Sequence, residues 1–368
     1  MDVNGHTSGD VTRRGRTVSI RDVAAAAGVS YQTVSRVIND HPRVKASTRE
    51  VVLAAIDELG FRPSRAARAL AGGRVTAVTV LTSNTTRYGY ASALQGIEEA
   101  ARAAGFAVGV RVVESADPDV VADALGRAIE PGTALIVIAF DRAGTSVRDA
   151  VPAGVPMVAA VETPVGDEGA GQPWVWMDDR EAAREATRFL LGLGHPTVHY
   201  VAIPSSTANS QRAVGRRMAL EEAGVPVPEP IQAGWDPLSG FRAGQALAAD
   251  PGVTAVLCGN DDLALGVMRA MHEAGRRIPE SVSVVGFDDT PASAFFTPAL
   301  STVRLDFVEL GRACVAHLRP FLDPLRAPEP APWPRPRLIT RESTGPAPAR
   351  PGGQPRGGQP DARPHPGE

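Results

Sequence analysis

The chain has 368 residues, of which 43% are hydrophobic and 21% charged, and a formal net charge of −3. That length predicts two or three globular domains, and two lone cysteines, Cys258 and Cys314, exclude a disulfide scaffold and a C-x-x-C metal framework. The charge is uneven: residues 1–74 carry 12 Lys and Arg against 7 Asp and Glu, and the remainder 26 against 34. A basic head on an acidic body points to a polyanionic partner for the head, with chance placement as the alternative.

Residues 1–16, MDVNGHTSGDVTRRGR, predict a disordered tail. They contain no apolar core of a signal peptide, and no run in the chain approaches 18 apolar residues. The expected location is therefore cytoplasmic, with no membrane partner. From residue 17 to 62 the pattern is all-helical. Ser19 and Asp22 have capping-box spacing, and Ile20, Val23, Ala24 and Ala27 form an apolar stripe behind them. Gly28 falls where a left-handed helix end is needed, Val29 plugs the corner, and Ser30 can cap a second helix. Val34, Val37 and Ile38 give that helix an inward face, so Tyr31, Gln32, Ser35 and Arg36 point away from it. A third helix, about 47–59, is expected to pack through Val51, Val52, Ala55, Ile56 and Leu59 and to end at Gly60.

Two short helices joined by a glycine turn, with polar residues at the start of the second, predict a DNA-reading helix-turn-helix. Arginine can hold guanine O6 and N7 with two parallel bonds, and glutamine can do the same for adenine. Ser30, Thr33, Ser35 and Asn39 are short donors suited to phosphate oxygens. An ordinary solvent-facing helix is the alternative.

Residues 63–74 read as a linker around SRAARALAGG, too short for a stable isolated helix. From Val75 the runs VTAVTVL, AVGVRVV and TALIVIAF alternate with amphipathic helices. A second cycle is expected to begin near Trp174 and to run through TVHYVAI, VTAVLCG and SVSVVGF. This predicts an α/β body of two parallel-sheet subdomains with a ligand cleft beyond the carboxyl ends of the strands. The subdomains are expected at about 75–175 with 305–323 and 176–304 with 336–345, followed by a disordered tail at 346–368. Cys258 is expected in the core. His195 and His199 lie in GLGHPTVHY, a helix-to-strand turn, and a structural role is expected for them. The chain lacks G-x-S-x-G, G-x-x-x-x-G-K-[ST] and H-E-x-x-H, so neither an enzyme nor a cofactor is expected.

The stretch VSIRDVAAAAGVSYQTVSRVIND, then ELGFRPSRAARALAGG, GWDPLSGF, GNDDLALGVMRAMHEAGRRIPESVSVVGFDDTP and TPALSTVRLDF, resembles the LacI/GalR family over roughly residues 17–345. The resemblance implies a periplasmic-binding-protein-like body. It implies that Tyr31, Gln32 and Arg36 read bases, as in the family's lactose-repressor members. Leu70 then becomes a minor-groove wedge between paired hinge helices, with Arg65 and Arg68 beside the backbone. Ser83, Arg212, Asn260, Asp288 and Trp235 are implied as the effector pocket. Arg, Asn and Asp suit vicinal hydroxyls and Trp the C–H face of a pyranose, while a turn carboxylate for Asp288 and core packing for Trp235 remain alternatives. Two departures stand out: Leu305 precedes Asp306-Phe307 where glutamine is common, and Val161 occupies an expected acidic position, with Glu162 next. The whole implies a homodimeric repressor on a palindromic double-stranded DNA operator, released by a sugar, with a galactoside as first expectation. A member that uses a phosphoprotein co-effector or acts as an activator, or a solute-binding protein, are the alternatives. The tail PGGQPRGGQPDARPHPGE has no leucine heptad, so a tetramer is not expected.

Overall fold

A computed structural model of the chain describes residues 18–38, 43–59, 61, 77–163, 174–205, 210–322 and 334–349. The head has three helices, α1 (Ile20–Ala26), α2 (Tyr31–Ile38) and α3 (Ala46–Glu58). The Ser19–Asp22 capping box starts α1: Asp22 accepts from the Ser19 backbone N–H at 2.8 Å, and the Asp22 N–H donates to Ser19 Oγ at 3.4 Å. Gly28 ends it with φ +63°, while Gly28 N–H reaches Ala25 O and Val29 N–H reaches Ala24 O. This pair of bonds is a Schellman closure, and the left-handed residue in it strongly favours glycine. Val23, Ala24, Ala27, Val34, Val37, Val52 and Ala55 form the head's core.

Val51 is exposed rather than packed. The buried face of α3 runs through Val52, Ala55, Ile56 and Leu59, at i, i+3, i+4 and i+7. Val51 lies one residue, about 100°, off that stripe. Leu59 caps α3; the expected stop at Gly60 lies outside the described residues.

The body has two sheets. The first contains β1 (Ala77–Thr82), β2 (Ala107–Val112), β3 (Thr133–Ala139), β4 (Met157–Val161) and β5 (Trp174–Val175) in the order β2-β1-β3-β4-β5, all parallel. Helices α4 (Tyr88–Ala103), α5 (Pro118–Ala128) and α6 (Arg142–Ala150) connect them. Strands of a parallel sheet are covered on both faces, which is why β3 reads as an unbroken apolar run. The second sheet contains β6 (His199–Ala202), β7 (Ile231–Gln232), β8 (Ala255–Cys258), β9 (Ser283–Asp288), β10 (Ser301–Arg304) and β11 (Arg337–Ile339). Its order is β11-β10-β9-β8-β6-β7, with only β11 antiparallel to its neighbour. Helices α7 (Asp179–Gly192), α8 (Gln211–Glu222), α9 (Pro237–Ala248) and α10 (Asp261–Glu273) belong to this second lobe.

Trp174 does not open the second cycle. Its short strand pairs with β4, Trp174 opposite Ala159, and closes the first sheet. The second lobe starts after it, where Asp178 caps α7. After β10 the chain returns to the first lobe as α11 (Phe307–Leu322), which packs on α4. A Cβ on Gly96 would collide with Val308 O, and one on Gly311 with Ala93 O, so these helices touch backbone to backbone. His195 is buried, with Nδ1 3.0 Å from Thr254 Oγ1 and Nε2 3.0 Å from Ser283 Oγ. Burial pushes its pKa down, and it joins the end of α7 to β9. Cys258 and Cys314 are both buried in the body's cores.

Candidate nucleic-acid interface and effector cleft

In the head, the Thr33 N–H donates to Ser30 Oγ at 3.1 Å, so Ser30 caps α2. The Ser30 and Thr33 hydroxyls also lie 2.9 Å apart. With Val34 and Val37 in the core, Tyr31, Gln32 and Arg36 are exposed and Thr33 and Ser35 half-buried. Tyr31 is 56% exposed. The phenol, the amide and the guanidinium thus stand on one solvent face at the start and middle of α2. Asn39, Arg65, Arg68 and Leu70 lie outside the described residues.

The cleft forms where the carboxyl ends of both sets of strands meet. It encloses about 730 Å³ of empty space, open solvent at its mouth included. The first lobe contributes Arg87, Tyr88 and Tyr90 from the start of α4, Phe140 after β3, and Val161 and Glu162 at the end of β4. The second lobe contributes Arg212, Trp235, Asn260, Asp262, Asp288 and Thr290. Leu305 and Phe307 enter from the chain's return to the first lobe. The two walls differ in chemistry. The first-lobe wall is aromatic, with Tyr90 against Phe140 at 5.2 Å and Phe140 against Phe307 at 5.9 Å between ring centroids. The second-lobe wall is mostly polar.

Arg212 is buried in that second wall. Its Nε donates to Asp179 Oδ2 at 2.8 Å, Nη1 donates to the Gly259 carbonyl, and the guanidinium lies 4.4 Å from the Phe287 ring centroid. Burial opposes its charge, but Asp179 and Asp288 more than offset this and raise its pKa. Asn260 caps α10, accepting from Leu263 N–H at 2.7 Å and donating to the Trp235 carbonyl at 3.0 Å. That bond ties the cap of one helix to the loop before another.

Asp288 ends β9 with φ +106°, and Asp289 follows with φ +54°. Non-glycine residues rarely adopt this left-handed backbone, and it persists only where surrounding bonds hold it. Here Arg304 and Arg341 both grip Asp289, each at 2.6 Å. Asp261 accepts from Thr290 N–H at 2.7 Å and from the Thr302 hydroxyl at 2.6 Å. The clamp directs Asp288 into the cleft. Burial pushes the Asp288 pKa well up; Arg212 opposes this, and Asp261, Asp179 and Asp262 add to it. Asp261 is itself pushed up to about 6, mainly by burial.

Three features differ from the sequence expectation. Ser83 is buried and does not line the cleft: its hydroxyl donates to Asp141 Oδ2 at 2.5 Å. Asp141 caps α6 at the end of the neighbouring strand and captures the serine. Trp235 lines the cleft, but the Arg87 guanidinium lies over its ring, 4.7 Å from the centroid. Val161 and Glu162 both reach the cleft, and Glu162 accepts from the Ser205 hydroxyl of the other lobe at 3.1 Å. Sequence reasoning did not single out Arg87, Tyr88, Tyr90, Phe140 or Asp179. The only available signal was their position just past a strand end or at a helix start.

Among the described residues, no group of three or more His, Cys, Asp or Glu side chains is placed to hold a metal ion, and no helix is long and apolar enough to cross a membrane.

Residues 19–64 match the profile of bacterial regulatory proteins, lacI family, and residues 187–344 that of the periplasmic binding protein-like domain. The lactose operon repressor of Escherichia coli (strain K12) is 32% identical over 305 residues, covering 82% of this chain and 84% of that protein. The crystal structure of the lac repressor dimer bound to operator and the anti-inducer ONPF superposes with a TM-score of 0.77 at 30% identity, covering 90% of this chain and 100% of that one. A complex of the transcriptional regulator CelR with cellobiose gives 0.65 at 28% identity, covering 89% of this chain and 99% of that one. A helix-turn-helix head matching that profile, a two-lobed body of parallel sheets and a relative 32% identical over 82% of the chain place this protein in the LacI family of bacterial regulatory proteins.

Proposed function

We propose that the protein is a ligand-released, sequence-specific repressor that binds a palindromic DNA operator as a homodimer. The carrying observation is the outward face of α2, where Tyr31, Gln32 and Arg36 stand clear of the core on a helix fixed by the Ser30 cap. In the major groove Gln32 and Arg36 supply bidentate base contacts and Tyr31 a hydroxyl, while Ser30, Thr33, Ser35 and Asn39 hold phosphates. Leu70, with Arg65 near the backbone, acts as the wedge of the hinge. A DNA-binding regulator works in the cytoplasm, and no catalytic step is assigned to it.

The effector is a neutral polyhydroxylated ligand, a sugar of the galactoside or β-glucoside kind. Asp288, Asn260 and the remaining nitrogen of Arg212 offer hydroxyl partners, and the Tyr90–Phe140–Phe307 wall and Trp235 offer apolar surface. Ser83 acts indirectly, through Asp141. Dimerisation is supported by apolar side chains left exposed on each lobe: Val110 and Val112 on the edge strand β2, and Leu265 and Phe295 on the second lobe. The domain limits follow: head 17–62, hinge 63–74, body 75–345. A gel shift against a symmetric operator probe, repeated with lactose, galactose and cellobiose, tests this reading. Release by one sugar is expected; tighter binding, or indifference to every sugar, shifts the reading to a protein co-effector or an activator.

A further inference from the structure

Arg87 sits just before α4 on the first lobe, where its backbone N–H donates to Asn84 Oδ1 at 2.8 Å. Asn84 Oδ1 also accepts from Thr86 N–H at 2.9 Å, so the turn presenting Arg87 is fixed. Its guanidinium crosses the cleft mouth and lies over the Trp235 ring of the second lobe, 4.7 Å from the centroid. Trp235 also packs against the second lobe's core. The ring also lines the cleft, where the Arg87 guanidinium lies over it. Among the described residues the Arg87 side chain forms no ion pair, so the indole is its one specific partner. A half-buried arginine in a cleft that also holds Glu162, Asp262 and Asp288, yet paired with none of them, is placed for the ring rather than for a carboxylate.

We propose that Arg87 is a specificity-determining residue that occupies the Trp235 face, so that a ligand stacks on the indole only by displacing it. The proposal rests on the reading of the cleft as an effector site. It has two consequences. Ligands with a broad apolar C–H face compete with the guanidinium, and small polyols do not. Displacement also breaks a contact between the lobes, which Ser205 and Glu162 bridge as well, and so couples ligand entry to lobe movement. A cation–π pair partly sheltered from water corresponds to roughly 2- to 30-fold in an equilibrium constant.

The experiment uses the full chain labelled with 5-fluorotryptophan, which gives four fluorine resonances, one for each tryptophan. Trp235→Phe assigns the relevant one. Arg87→Met is expected to move the Trp235 resonance and leave the other three in place. Titration with lactose, cellobiose and galactose is then expected to show a sugar that binds about 2- to 30-fold more tightly to Arg87→Met than to the unaltered protein. Arg87→Lys keeps a cation over the ring and is expected to restore the weaker affinity. The proposal is overturned by a Trp235 resonance indifferent to Arg87→Met, or by sugar affinity unchanged or weakened in that variant. If none of the three sugars binds while Arg87→Met still moves Trp235, the sugar reading fails and the Arg87–Trp235 contact stands.

Discussion

Replacing Arg212 by methionine keeps the aliphatic stem and removes only the guanidinium, which makes it a sharp probe of the cleft floor. Both partners of the Arg212–Asp179 pair are nearly inaccessible, with side chains 8% and 9% exposed. The substitution leaves the Asp179 carboxylate buried without its cation and the Gly259 carbonyl without its donor. Breaking a buried pair from one side costs about 3–5 kcal/mol, because the remaining charge cannot regain water. A body of this size loses roughly 2–4 °C of melting temperature per kcal/mol. Arg212→Met should therefore melt about 6–20 °C below the unaltered protein by scanning calorimetry at neutral pH. Adding Asp179→Asn removes the stranded charge, so the double variant should recover a large part of that loss. A single variant within about 2 °C of the parent, or a double variant no more stable than the single, would refute the argument that the pair holds the cleft floor together.

Gln32→Ala should cost about 1–3 kcal/mol on the best operator and relax preference at one base pair, with an unchanged salt slope; uniform weakening across all sequences would mean that Gln32 touches phosphate. Leu70→Ala should leave a folded dimer whose operator affinity falls more than tenfold at fixed salt, and unchanged affinity would remove the wedge. Asp288→Asn tests the buried carboxyl through pH. Burial raises its folded pKa, so the proton it takes up favours the folded state fully below the unfolded value of ~3.9, and this advantage is lost as pH rises through the folded pKa. The variant, which has no such charge to bury, should gain in melting temperature relative to the parent as pH rises above ~4; a gap that instead widens on acidification contradicts the assignment.

The features legible in sequence are those set by neighbours a few residues apart. The Ser19–Asp22 box, the left-handed Gly28, the Ser30 cap and the Val34–Val37 stripe each follow from bonds that span three to five residues. They determine that Tyr31, Gln32 and Arg36 face solvent. Apolar runs such as TALIVIAF were equally readable, because burial on both faces of a parallel strand leaves no room for polar residues. Asn260 and Asp288 could be marked from their place at the ends of such runs.

Tertiary structure decided what lies across from those residues. Nothing local pairs Trp174 with Ala159, and the short segment reads equally well as the start of a new cycle. Ser83 meets Asp141 across 58 residues, and Arg212 meets Asp179 across 33. Arg87 finds Trp235 only because two lobes bring a helix start and a loop to the same cleft mouth. Side-chain pairs of this kind leave no periodic trace in the chain, since each is set by how two sheets and their helices pack. The sequence alone therefore determined which side chains were free to bind, and packing decided which remained free and which were already taken.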